Sequence, residues 1–286
     1  MPLESPHFTL EQVEEHAWAA VATPSGGAVG NAGFADLGGR ALVVDAFFTP
    51  SAAIDLRSAA EQLVGPIDRV VITHGDFDHY GGLPAFENVP VVAAQTTRET
   101  IAAAGPGRIE SLRAEGGSYL ADLERKGAPA WEVEQARVVL ADLPRLQVIV
   151  PTEGFTAELE LGGGRVLECG AGHTNSDSVV WLPEERVLFA GDLVVVDAHP
   201  NLTRGDPSNW LRTLDRLMEL HPAAVVPGHG PPGGEESLAT VRRYVETLLR
   251  LAAEPEDPLL PAEWAGWQFR EGFEANVFAL REHVAA

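Results

Sequence analysis

Short apolar runs alternate with Gly-rich turns between residues 17 and 47, and this spacing predicts consecutive antiparallel β-strands. The runs are Ala17–Ala22, Ala28–Leu37 and Ala41–Phe48. Pro50-Ser51 then opens a segment with one apolar face, which predicts a helix to about Val64. Two further apolar runs, Arg69–Ile72 and Val89–Ala94, predict buried strands.

Residues 96–141 show helical periodicity instead, with many alanines and glutamates. Gly105-Pro106-Gly107 and Gly127-Ala128-Pro129 interrupt this segment, so we expect two or three helices. Their inner stripe consists of Ile109, Leu112, Leu120 and Leu123. The segment could be an insertion that roofs a substrate pocket, or an ordinary packed helical layer.

The strand pattern returns after Arg145. We expect strands at Leu146–Val150, Phe155–Leu161, Arg165–Cys169, Ser178–Leu182, Arg186–Ala190 and Ala223–Val226. Helices are predicted to begin at Asp206-Pro207, to span Glu235–Ala252 and to lie near Phe273–Val284. Both halves of the chain place strands before a helix, which favours an α/β fold with two face-to-face sheets and helices outside. We expect one domain over residues 1–286, with a helical insertion at about 96–141 and a C-terminal extension at about 254–286.

Composition narrows the class of protein. Hydrophobic residues make up 45% of the chain, which is typical of a globular protein, and no apolar run reaches the ~20 residues that span a bilayer. The opening residues lack the pattern of a signal peptide, and the single cysteine, Cys169, fits a reducing cytoplasm. The net charge of −22 argues against a nucleic-acid partner and an RNA-processing activity. We expect a small-molecule substrate and, without a long apolar run, no membrane partner. The oligomeric state is open.

Four loops carry metal-capable side chains, and each follows an apolar strand beside glycine. The first is Thr73–His79, and the others are Gly170–Thr174, Gly191-Asp192 and Gly228-His229-Gly230. Glycine allows the backbone to turn sharply and leaves the neighbouring side chain facing open space. Together they offer seven nitrogen and oxygen ligands: His74, Asp76, Asp78, His79, His173, Asp192 and His229. This number suits two divalent ions with coordination left for water.

The order of these motifs resembles the metallo-β-lactamase-fold superfamily, particularly its glyoxalase-, lactonase- and thioesterase-like side. The resemblance implies an αββα sandwich and a dinuclear metallohydrolase that acts on an ester, thioester or lactone. It further implies that His74 and His173 hold the first ion, that Asp78, His79 and His229 hold the second, and that Asp192 bridges them. A metal-bridging hydroxide would attack the substrate, and Asp78 would be the catalytic residue that orients it and relays its proton.

Asp76 departs from the family motif, which has a second histidine there. With Asp76, Asp78, Asp192 and a hydroxide, the ligand charge of −4 cancels two divalent ions and weakens the centre as a Lewis acid. The resemblance implies zinc, but the harder carboxylate ligand shifts the preference of the first site toward iron or manganese. The substitution could also mean a lost ligand and a single-ion site.

Two alternative functions are compatible with this ligand pattern. The protein could be a non-heme iron oxidoreductase similar to a persulfide dioxygenase, or a binding protein that keeps the fold without catalysis. His199 and Tyr80 are weaker candidates for substrate binding, because each lies close in sequence to a ligand.

Overall fold

The computed structural model describes residues 4–285 and contains two β-sheets. The first sheet has seven strands in sequential order, β1 to β7. They span Phe8–Glu14, Ala17–Ala22, Ala32–Asp36, Ala41–Val44, Ile67–Ile72, Val91–Ala94 and Glu153–Phe155. Strands β1 to β4 pair antiparallel, whereas β4 to β7 pair parallel.

The second sheet has five strands in the order β12-β11-β10-β9-β8. They span Glu158–Leu161 (β8), Gly164–Gly170 (β9), Asp177–Leu182 (β10), Val187–Val195 (β11) and Ala224–His229 (β12). β11 and β12 pair parallel, and the other pairs in this sheet are antiparallel.

Seven α-helices complete the described part of the chain. They are α1 (Pro50–Leu63), α2 (Phe77–Tyr80), α3 (Gln95–Lys126), α4 (Ala130–Asp142), α5 (Pro207–Met218), α6 (Glu235–Ala252) and α7 (Glu271–Ala285). Thr49 caps α1 and Asp206 caps α5 through side-chain hydrogen bonds, and proline occupies the first turn of both helices. None of the helices is long and apolar enough to cross a membrane.

Three apolar layers hold the elements together. Val71 and Val44 on the inner face of the first sheet pack with Val180 and Phe189 of the second. The outer face of the first sheet packs on α1 and α3, and that of the second sheet packs on α5, α6 and α7. Burial on both faces explains why the central strands are continuous apolar runs. These layers confirm the predicted αββα sandwich.

The helix prediction was wrong at Gly105-Pro106-Gly107, because α3 continues through this tripeptide. A proline inside a helix removes one backbone hydrogen bond, so the sequence alone favoured a break. The buried face nevertheless runs unbroken from Ile101 through Gly105 to Ile109. Packing of this face on the first sheet therefore outweighs the local cost. The second predicted interruption is confirmed, since α3 ends at Gly127 in the left-handed conformation.

Two strand predictions after Arg145 were also wrong. Residues 146–150 form no strand; instead, Arg113 and Arg98 of α3 donate to the carbonyls of Leu146 and of Pro151, which follows the stretch. The run 155–161 divides between the two sheets, with β7 ending in the first and β8 beginning the second. Ala157, at φ +66°, lies at this crossing. Strand β1 was not predicted, because an edge strand with mostly exposed positions lacks a strong apolar pattern.

Candidate metal centre

All seven predicted ligands meet at one edge of the sandwich. The loop after β5 and the short helix α2 carry His74, Asp76, Asp78 and His79. The second sheet supplies the other three: His173 follows β9, Asp192 lies within β11 and His229 ends β12. Their donor atoms form two sets, and within each set these atoms lie within 4.8 Å of one another.

The first set contains His74, Asp76, His173 and Asp192. Oδ2 of Asp76 lies 3.0 Å from Nε2 of His173 and 3.7 Å from Nε2 of His74. Oδ2 of Asp192 lies 3.4 Å from Nε2 of His173 and 3.8 Å from that of His74. Ligand atoms around a tetrahedral ion with bonds of about 2.0–2.1 Å are about 3.3–3.4 Å apart, so this spacing suits one ion.

The second set contains Asp78, His79 and His229. Oδ2 of Asp78 lies 3.7 Å from Nε2 of His79 and 3.3 Å from Nε2 of His229. Asp192 also reaches this set, because its Oδ1 lies 3.2 Å from His79 and its Oδ2 lies 3.5 Å from His229. Asp192 therefore faces both sets and can bridge two ions.

Orphaned imidazole nitrogens test whether a metal fits. Nε2 of His74 and Nε2 of His79 are buried and have no hydrogen-bond partner among the described residues. Oδ1 of Asp192 is likewise buried and has no hydrogen-bond partner in the described part of the chain. Buried polar atoms without partners are costly, and a cation between them would satisfy all three. The residues present therefore fit a metal centre.

Hydrogen bonds on the far side of each ring assign which nitrogen carries the proton. Nδ1 of His79 donates to Oδ2 of Asp45 at 2.9 Å, and Thr73 Oγ1 donates to the same oxygen at 2.8 Å. Thr73 Oγ1 can then accept from Nδ1 of His74, 2.9 Å away. Nδ1 of His173 donates to the carbonyl of Asn201 at 3.1 Å. These three rings thus turn the lone pair of Nε2 toward the centre, as metal binding requires.

The electrostatics of the centre favour a cation. Burial alone would lower the pKa of His229, but Asp192 and Asp78 raise it to about 10. Burial opposes ionisation of Asp192 in the same way, yet His229 and His79 hold the pKa of its carboxyl well below the ordinary value. Negative charge therefore accumulates where the orphaned nitrogens converge, and a divalent ion would compete there with protons.

Asp76 has a further partner that the sequence did not predict. Nη1 and Nη2 of Arg204 donate to its two carboxylate oxygens at 2.7 and 2.5 Å. Burial would raise the pKa of Asp76, but Arg204, together with His173 and His74, holds it far below the ordinary value. Nη2 of Arg108 on α3 lies 3.6 Å from Oδ1 of the same carboxylate. Asp76 is therefore an ionised ligand candidate tied to a guanidinium group.

A cleft of about 510 Å³ opens onto both sets of ligands. Its walls include Asp76, Asp78, His173, Asp192 and His229. Beside it lies a groove of about 380 Å³ that shares Val29, Ala198, His229 and Phe269 with the cleft and extends to Trp131. Trp131 and Phe269 are 39% and 50% exposed, so they add apolar surface to a groove that also has polar walls, next to the metal-capable side chains.

The two weaker candidates differ in position. His199 lines the cleft, and its Nδ1 is hydrogen bonded to the hydroxyl of Tyr244 at 2.8 Å. Tyr80 is buried and lies outside the described walls of the cleft. Its hydroxyl is near Gly105 of α3, at 3.4 Å from the position of an added Cβ. Of the two, His199 is thus the one that borders the cleft, although its side chain is largely buried.

Sequence reasoning missed three residues that shape the centre: Asp45, Asn201 and Arg204. Asp45 carried a signal, since it is an acidic residue in an apolar run, and it adopts φ +60° at the end of β4. Asn201 acts through its backbone carbonyl, so its side chain gave no clue. Arg204 lies in a polar loop far from Asp76 in sequence, and the fold alone brings the two together.

Residues 25–229 match the sequence model of the metallo-beta-lactamase superfamily. A type 2 metallo-beta-lactamase of Bacteroides fragilis is 34% identical over 142 residues, which are 46% of this chain and 56% of the relative. The human acyl-coenzyme A thioesterase MBLAC2 is 30% identical over 187 residues, 59% and 58% of the two chains. A linear primary-alkylsulfatase of a Pseudomonas species is 28% identical over 207 residues, 65% and 37%. The chain thus spans less than two thirds of each relative.

Solved structures show the same fold. The metallo-beta-lactamase of Pontibacter korlensis aligns over 84% of this chain and 99% of its own, with a TM-score of 0.58 and 19% identity. TMB-1 aligns over 85% and 98%, with a TM-score of 0.60 and 19% identity. At this identity, the likeness concerns the sandwich and not the substrate.

Proposed function

Because the chain belongs to the metallo-beta-lactamase superfamily, we propose that it is a metal-dependent hydrolase of small molecules with an ester, thioester or lactone bond. The observation that carries this proposal is the sharing of Asp192 by two ligand sets beside an open cleft. Two bound divalent ions would polarise the scissile carbonyl group and lower the pKa of a bound water molecule.

The chain's own residues divide the work. His74, Asp76 and His173 would hold one ion, Asp78, His79 and His229 the other, and Asp192 both. Asp78 lines the cleft with a partly buried carboxylate, which supports a role in orienting the attacking water and accepting its proton. Asp45, Thr73 and Asn201 keep the imidazole rings in the orientation described above.

Replacing the proposed base tests this division. Asp78→Asn should abolish turnover of a chromogenic ester or thioester while part of the metal stays bound. Asp68→Asn is the matched control, because Asp68 belongs to an exposed ion pair with Arg40. Hydrolysis at the parental rate by Asp78→Asn, with its metal content measured in the same sample, would refute the role of Asp78.

The apolar groove supports a substrate with a hydrophobic acyl or alkyl arm. An apolar chain that enters beside Val29 and Phe269 would cover the exposed ring of Trp131, and burial of such surface contributes about 25 cal/mol per Å². The human thioesterase relative supports a thioester among the three bond types. In a series of acyl thioesters, kcat/KM should rise with chain length, and Trp131→Ala should flatten the rise. A parental series without any dependence on length would oppose this substrate class.

A second candidate function rests on the first ligand set. This set offers two histidines and two carboxylates, so His74 and His173 with one of the carboxylates could form the two-histidine, one-carboxylate group typical of non-heme iron oxygenases. Oxygen uptake by iron-loaded protein with a persulfide substrate, without ester or thioester hydrolysis, would favour this alternative. Metal-free protein with unchanged ligand affinity would instead indicate a binding protein without catalysis.

A further inference from the structure

We propose that Arg204 compensates the charge of Asp76 and positions its carboxylate, so that the Asp76–Arg204 pair replaces the neutral histidine of the family motif. The inference rests on the proposed metal-dependent function, since it concerns how the same centre holds its first ion. Arg204 would then adjust the charge and geometry of the metal site and would not act on the substrate.

The geometry of the pair is that of a fork. Two hydrogen bonds of 2.7 and 2.5 Å join the two terminal nitrogens of Arg204 to the two oxygens of Asp76. Bidentate pairs of this kind fix the plane of the carboxylate as well as its distance. In this plane, Oδ2 of Asp76 still lies 3.0 Å from Nε2 of His173 and 3.7 Å from Nε2 of His74. One oxygen can therefore serve an ion while the fork remains in place.

The charge balance follows from the same contacts. Three carboxylates face the centre (Asp76, Asp78 and Asp192), and with a hydroxide they would cancel two divalent ions completely. The guanidinium of Arg204 adds one positive charge beside Asp76, and its Nη2 also lies 3.3 Å from Nε2 of His173. Arg108 lies farther away, at 3.6 Å from Oδ1, and contributes in the same direction. The centre thus regains the positive charge that a histidine ligand would have left it.

The loop that carries Arg204 is fixed on both sides. Asn276 of α7 is buried, donates to the carbonyl of Pro200 at 2.6 Å and accepts from the amide of Leu202 at 2.8 Å. Gly205 packs so closely on the loop of His173 that an added Cβ would lie 1.7 Å from the carbonyl oxygen of Gly172. Arg204 is therefore placed by the fold and is not a freely moving surface side chain.

Azide binding to the cobalt-loaded protein tests the proposal, because absorption bands of Co²⁺ report both metal occupancy and the arrival of an anion. Arg204→Gln removes the charge and keeps an amide donor, whereas Arg204→Lys keeps the charge and loses the fork. We expect Arg204→Gln to weaken azide about tenfold and Arg204→Lys to change it less than about threefold. The double variant Asp76→His/Arg204→Gln should return azide affinity to within about threefold of the parent.

Arg40→Gln is the control for the loss of a positive charge elsewhere in the protein, because Arg40 pairs with Asp68 outside the cleft. Azide binding should be unchanged in this variant. Unchanged azide affinity in Arg204→Gln would overturn the proposal. A double variant that loads cobalt without restoring azide affinity would overturn it as well. If Arg204→Gln loses cobalt, recovery of cobalt by the double variant supports the proposal and its absence contradicts it. A parent chain that takes up no cobalt would overturn the metal-dependent function too.

Discussion

Asp45 accepts a hydrogen bond from Nδ1 of His79 at 2.9 Å, and its other oxygen accepts one from the backbone amide of Thr73 at 2.8 Å. One carboxylate thus orients a proposed metal ligand and holds the strand end that leads to His74. An amide in this place would direct its NH₂ group at one of these two donors. The interaction at Asp45 therefore requires an acid.

We expect Asp45→Asn to lower the metal affinity of the second site by about 10- to 100-fold, since partners that orient a ligand have effects of this size. Metal content after dialysis against a graded series of chelator concentrations measures the change. Asp36→Asn provides the control, because Asp36 accepts a hydrogen bond from Gly39 in an exposed turn. Equal metal retention by Asp45→Asn and the parent would show that Asp45 does not support the centre.

Asn276 makes two hydrogen bonds to the loop that contains both Asn201 and Arg204. Asn276→Ala should reduce stability by about 1–3 kcal/mol for each buried backbone group left without a partner. It should also weaken the first metal site, because His173 donates to the carbonyl of Asn201. Urea unfolding and metal titration measure the two effects. Asn276→Asp keeps the acceptor for Leu202 but turns a buried carboxylate oxygen toward the carbonyl of Pro200, so it should be no more stable than Asn276→Ala.

Gly105 and Gly107 of α3 provide a matched pair of substitutions in one helix. A Cβ at Gly105 would lie 2.8 Å from Val148, whereas a Cβ at Gly107 would meet open space. Gly105→Ala should therefore destabilise the protein by about 1–3 kcal/mol through overpacking. Gly107→Ala should stabilise it by about 0.5–1 kcal/mol through helix propensity. Chemical unfolding of both variants checks the opposite signs, and a gain at Gly105 would contradict the observed packing.

The thiol of Cys169 should be inert in the folded protein. Burial, followed by the charge of Asp177, raises its pKa to about 12. The raised value favours the neutral thiol, so the thiolate becomes abundant only as the pH approaches 12. At pH 8 the thiolate population is lower than that of an unperturbed thiol by about 10³-fold. Labelling with a disulfide reagent at pH 8 should be slow in the native protein and fast in denaturant. Rapid labelling without unfolding would refute this prediction.

The sequence predicted the sandwich because its signals are local. Alternating and continuous apolar runs identified most strands, and Asp206-Pro207 identified the start of α5. The ligand loops were recognisable because glycine flanks each of them. Pro106 misled the prediction, since tertiary packing of α3 overrides a local rule. The run 146–150 misled it for a related reason: side chains of α3 contact this stretch, and apolar character alone could not show that.

The residues that contact the ligands could not be predicted from the sequence, for another reason. Arg204 pairs with Asp76, and Asn276 holds the loop of Arg204, yet these residues are far apart in the chain. An arginine and an asparagine are also common on exposed loops and helices, so neither residue type alone indicates a role at the centre. The charge balance predicted for the centre was therefore incomplete, because it counted the ligands and not the guanidinium of Arg204 beside Asp76.

The distribution of the ligands over both sheets also determines when the centre can form during synthesis. A nascent chain that ends before His173 carries only the four side chains of the loop after β5. His229 enters last, when β12 pairs with β11, and Asn276 follows it in α7. A metal held by all seven side chains would thus be selected by the finished fold, because the segment made first carries His74 and His79 but neither His173 nor His229.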